Sequence, residues 1–121
     1  MPTRQYVIRK RVVVGPKEVK TIHEEAFLDD YFVIEEIYIV WKVGTTIFLY
    51  LDGALWDLFK WEEPVLAPEF YYLFSRTFTT PIIVLNDIRI DVKNDTDEPK
   101  SVEIIIDGYL APKEEYKVKV L

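Results

Sequence analysis

Residues 81–110 read PIIVLNDIRIDVKNDTDEPKSVEIIIDGYL, and their pattern decides the fold class. Ile88, Ile90 and Val92 alternate with Arg89, Asp91 and Lys93. Val102, Ile104 and Ile106 alternate with Glu103, Ile105 and Asp107. A period of two turns one set of side chains to a core and the other towards water. Between the runs, residues 94–99 are of types that bond their own backbone or fix φ. The stretch is therefore expected to form a hairpin. Charge suggests its register. Setting Val92 against Val102 would oppose Asp91 to Glu103, a destabilising like-charge pair. A shift of two keeps every side chain on its face. It sets Lys93 against Glu103 and Arg89 against Asp107. An isolated hairpin is marginal in water, so the rest of the chain must add strands.

Upstream, Tyr6, Ile8, Val12 and Val14 share one parity, interrupted by Lys10, and Val7, Arg9, Arg11 and Val13 share the other. Gly15-Pro16 closes this strand. Residues 18–23 form a second, short one, and Asp29-Asp30 marks a turn. In residues 31–43, Phe32, Ile34, Glu36, Tyr38, Val40 and Lys42 share a face opposite Tyr31, Val33, Glu35, Ile37, Ile39, Trp41 and Val43. Both faces are apolar in the middle, as in a strand covered on both sides or set at a subunit contact. Strict alternation sends Glu35 and Glu36 to opposite faces, which argues against a catalytic carboxylate pair.

Residues 45–51 form a strand that ends at Asp52-Gly53, the residue types of a type I′ hairpin turn. That hairpin pairs Leu51 with Ala54, Leu49 with Trp56 and Ile47 with Leu58 on one apolar face. Tyr50 then meets Leu55, and Phe48 meets Asp57. A helix over residues 54–61, with Leu55, Leu58 and Phe59 along one side, is the alternative. Pro64 and Pro68 exclude a central strand in residues 62–74. A long loop fits there, as does a helical turn from Pro68 with Phe70, Leu73 and Phe74 on its apolar side. Residues 76–80 form a short strand leading into Pro81. Residues 112–115 read as a linker. Tyr116, Val118 and Val120 alternate with Lys117 and Lys119 in a closing strand whose lysines guard an edge.

The expectation is an all-β fold: one antiparallel β-sandwich or jelly roll of about eight strands over residues 1–121. With 121 residues, half of them hydrophobic, the chain can fill one core. It has no cysteine, hence no disulfide and no thiolate metal site. No secretory signal or spanning apolar run is read from it, which favours an intracellular or virion-associated setting. A single glutamine, Gln5, and two asparagines, Asn86 and Asn94, beside abundant Glu and Lys suit a thermophile.

Charge is uneven. Residues 1–20 carry six basic side chains against one acidic, a net +5, and the remainder carries nine basic against twenty acidic, a net −11. The acidic body argues against nucleic acid as a partner. Complementary charge within one sequence instead favours a homo-oligomer. His23, the only histidine, is read as a half-exposed strand residue beside Glu24 and Glu25. Asn94, Asp95, Thr96, Asp97 and Glu98 offer oxygens to calcium but lack an EF-hand's glycine and distal glutamate. They are read as a solvated turn. Four glycines cannot build a phosphate loop or dinucleotide fingerprint, and neither Ser75 nor Ser101 sits in a nucleophile elbow.

No catalytic residue, cofactor or metal ligand is therefore expected, and the chain reads as no enzyme. The layout loosely resembles the small β-sandwich modules that build viral particles and phage tails, which implies a structural, homo-oligomeric role. A carbohydrate-binding module is the alternative, with Trp56, Trp61, Tyr71 and Tyr72 as the aromatic platform. Such rings are equally at home in a core or a protein interface.

Overall fold

The computed structural model describes residues 4–25, 30–60 and 71–112. Eight strands occupy them: β1 (Arg4–Val14), β2 (Val19–Glu25), β3 (Asp30–Lys42), β4 (Thr45–Leu51), β5 (Ala54–Lys60), β6 (Tyr71–Val84), β7 (Asp87–Asn94) and β8 (Lys100–Pro112). They form two four-stranded antiparallel sheets, β1-β8-β3-β6 (sheet A) and β2-β7-β4-β5 (sheet B). First pairs with last, second with seventh, third with sixth, and fourth with fifth. This nesting is the strand order of a jelly roll.

The alternation in residues 88–106 is as expected: Ile88, Ile90, Val92, Val102, Ile104 and Ile106 are all buried. The hairpin is not. β7 pairs with β2 and β4, and β8 pairs with β1 and β3, so the two runs lie in different sheets. Arg11, not Lys93, stands opposite Glu103, and Val7, not Arg89, opposite Asp107. Periodicity fixes which side chains point inward but not which strand lies alongside. Residues 94–99 are long enough to step across the roughly 10 Å between packed sheets.

Two register shifts move side chains between core and surface. On β3 the shift lies between Ile34 and Glu36, with Glu35 as the extra residue opposite β8. Before it Phe32 and Ile34 point inward; after it Ile37, Ile39 and Trp41 do. Much of the apparent two-faced apolarity of residues 31–43 is thus one core face that changes parity at a bulge. The same shift leaves residues 78–81 of β6 opposite Glu35 alone, since Thr77 pairs with Glu36 and Ile82 with Ile34. Pro81 sits in that unpaired stretch of an edge strand, where a missing N–H is tolerated.

The β4–β5 hairpin turns as expected, with positive φ at both Asp52 (53°) and Gly53 (83°). Leu51 pairs with Ala54 and Tyr50 with Leu55, but a bulge then sets Leu49 against Asp57, Phe48 against Leu58 and Ile47 against Phe59. Phe59 enters the core, 5% exposed, and Leu58 turns outward, 43% exposed. Tyr71 to Phe74 belong to β6 and not to a helical turn. Asp30 is the first residue of β3 and Pro112 the last of β8. Asp29, Pro68, Phe70 and residues 113–120 lie outside the described residues.

The sheets meet along two open edges, closed by different chemistry. Between β1 and β2, Lys10 Nζ meets Glu24 Oε1 at 2.9 Å. The Glu24 hydrogen bond, and then its charge, raise the Lys10 pKa above the ordinary lysine value. Between β5 and β6 the contacts are aromatic: Trp56 lies edge-on to Phe78 at 5.7 Å, and Phe59 packs on Phe74 at 4.9 Å. Close approach also matters at one glycine, Gly108, where a Cβ would collide with the Val33 carbonyl oxygen on β3.

The β5 bulge is testable by truncation. Phe59→Ala should destabilise the fold by about 3–5 kcal/mol, as expected for a buried phenylalanine, and Leu58→Ala by less than about 1 kcal/mol. Denaturant unfolding reads the difference, and a larger loss at Leu58 would restore the unbulged register.

Candidate functional site

Two of the four rings expected to form an aromatic platform are described, those of Trp56 and Tyr72. Trp56 on β5 and Tyr72 on β6 both pack against the core. Tyr72 stacks on Trp41 with centroids 5.5 Å apart and planes at 24°, and Trp41 in turn packs on Phe59 at 5.5 Å. Tyr71 contributes its backbone to β6 opposite Lys42, and Trp61 lies outside the described residues. Sequence spacing overlooked Trp41, Phe59, Phe74 and Phe78, because the contacts join strands far apart in the chain. Among the described residues, the buried Trp41 indole N–H has no hydrogen-bond partner.

His23 projects from the outer face of sheet B, where its Nε2 meets Asp87 Oδ2 at 2.7 Å. The two side chains are 43% and 29% exposed, on an open sheet surface. Beside them, the Arg89 guanidinium lies 4.1 Å above the Tyr50 ring, a cation–π contact. Thr21 donates to Asp91 at 2.9 Å. Glu36 accepts from Thr77 at 3.1 Å, and Glu35 is exposed at the bulge. Among the described residues, no group of three or more carboxylates and histidines converges to hold a metal. Nor is any helix among them long and apolar enough to cross a membrane.

The loop ends of the sandwich are held by two polar side chains. At one end, Asn94 is only 1% exposed. Its Nδ2 donates towards the carbonyls of Val14 (3.0 Å), Gly15 (3.1 Å) and Glu98 (2.7 Å). Its Oδ1 accepts from the Thr96 N–H (2.9 Å) and hydroxyl (2.7 Å). Asn94 and Thr96 thus direct their side-chain oxygens to the chain itself. At the other end, Asp52 accepts from the backbone N–H groups of Leu85 (2.8 Å), Asn86 (2.6 Å) and Asp87 (3.2 Å). The turn signal at Asp52-Gly53 was legible in sequence. Its second task, capping the β6–β7 link, was not.

The outer face of sheet A has no assigned task. Cross-strand register arranges it in rows: Leu73, Val40, Glu103 and Arg11; Ser75, Tyr38, Ile105 and Arg9; Thr77, Glu36, Asp107 and Val7. Tyr38, Val40 and Ile105 are half-buried and Leu73 is 56% exposed. A shallow groove of about 210 Å³ opens here, lined by Arg11, Val40, Lys42, Ser101, Val102 and Glu103. It is smaller than the roughly 300–1,000 Å³ of typical ligand clefts.

Compared with known proteins, the chain matches no family model and no curated relative.

The role of Asn94 can be measured. Asn94→Asp keeps the shape but turns a carboxylate oxygen towards backbone carbonyls, leaving those acceptors without a donor. It should destabilise the fold by about 2 kcal/mol or more at neutral pH. Thermal or denaturant unfolding equal to wild type would contradict the bonding described.

Proposed function

We propose that this protein is a non-catalytic assembly module acting as a homo-oligomer, of the kind that builds a viral or phage particle. The observation that carries the reading is the outer face of sheet A. Its centre is apolar and half-open, at Tyr38, Val40 and Ile105, with Leu73 exposed beside it. Soluble monomers rarely leave contiguous apolar patches beyond a few hundred Å² uncovered. A closed symmetric oligomer is the usual cover. The jelly-roll strand order adds support by analogy, since capsid domains use it, although the same fold serves lectins and cupins as well. The β3 bulge removes one argument for self-association, because Ile37, Ile39 and Trp41 point into the core. It leaves Tyr38 and Val40 on the surface.

The carbohydrate reading has less support. Trp56 and Tyr72 spend ring surface on Phe78 and Trp41, where a sugar platform needs open ring faces.

Sedimentation or light scattering at micromolar concentration should find a dimer or larger species. Added salt should weaken it only in part, because screening reduces charge attraction and leaves apolar burial. A strictly monomeric protein would contradict the assembly reading.

A further inference from the structure

We infer that a second copy of this chain docks on the outer face of sheet A, each copy's Arg9 against the other's Asp107. The inference rests on the assembly reading above and names its surface. Asp107 on β8 stands directly opposite Glu36 on β3. Two carboxylates in that position repel unless a cation joins them. Its other neighbour, across β1, is Val7. Glu36 has the Thr77 hydroxyl, and among the described residues no cation lies within ion-pair distance of either carboxylate. One row away on the same face, Arg9 is exposed and stands opposite Ile105, with no ion pair among the described residues. Arg9 and Asp107 are diagonal neighbours within one chain, yet no ion pair joins them there.

Register supplies the geometry. The rows holding Arg9 and Asp107 are adjacent, two residues apart along the strands. A two-fold axis lying in the interface, across the strands and between these rows, exchanges them. It brings the Arg9 row of each copy over the Asp107 row of the other. Such an interface is isologous, so the contact forms twice. The operation keeps each strand's place, so Arg9 comes over Val7, Ile105 over Asp107 and Tyr38 over Glu36 of the other copy, which leaves the guanidinium about one strand spacing, roughly 4.8 Å, from the carboxylate it joins. Face-to-face sheets with aligned strands are an ordinary packing mode. The occupant is a second copy because the face carries both halves of its own charge complement.

Charge reversal and charge swap test this. Sedimentation across a concentration series would be run on wild type, Arg9→Glu, Asp107→Arg and the double variant, each checked for fold by circular dichroism. Each single reversal places like charges together twice and should weaken association at least about tenfold. The double variant restores opposite charges and should return to within a few-fold of wild type. Arg9→Gln, which deletes the charge without reversing it, replaces Arg9→Glu if that variant melts early. An oligomer indifferent to the single variants, or a double variant no better than either, would overturn this interface and leave the assembly reading standing. A monomeric wild type would overturn both.

Discussion

The structure depends on a buried amide at the point where the chain changes sheet. Asn94 ends β7 in sheet B, and β8 begins in sheet A after the link that follows. The amide group reaches the end of β1 through Val14 and Gly15, and the far side of the link through Glu98. Its two N–H groups are shared over three carbonyls while its oxygen takes two donors from Thr96, so its bonding capacity is used. Backbone bonds reinforce the same end: Asn94 N–H to Glu18, Asp95 N–H to Gly44, and Lys17 N–H to Thr96. Three links from different parts of the chain are thereby joined where sheet hydrogen bonding stops.

Between its ends the sandwich has a salt-bridged edge and an aromatic edge. The difference follows from which residues each edge strand can spare. β1 is rich in arginine and lysine, which discourages another strand from adding to it. Its one inward lysine, Lys10, reaches Glu24 and not the core centre. β5 and β6 carry the rings, and their bulges bring Phe59 inward and leave the Phe78 segment unpaired with β3. The bulges are thus part of how the core is filled.

Strand number, the inward-facing sets of β7 and β8 and the Asp52-Gly53 turn were legible in the sequence because each is a local signal. Period-two alternation needs only neighbours in the chain, and a type I′ turn needs only its own residues. Partnership of strands was not legible. Residues 88–92 and 102–106 alternate in the same way whether they pair or face each other across a core. Bulges were hidden for a related reason: both parities of residues 31–43 are apolar, so nothing marks where inward becomes outward. Of the candidate site residues, Trp56 and Tyr72 were recognised as aromatic, but the seam they join draws its other members from β3, β5 and β6. The charge pattern on sheet A needed the register before Glu36 and Asp107 could be seen as neighbours.

The central claim is that residues 94–99 cross between sheets and do not turn a hairpin. Cross-strand nuclear Overhauser contacts between backbone protons test it directly. The account predicts contacts from Ile90 to Ile22 and Leu49, and from Ile106 to Ile8 and Ile37. It predicts none between β7 and β8. A ladder of backbone contacts joining residues 88–93 to residues 102–107 would contradict it.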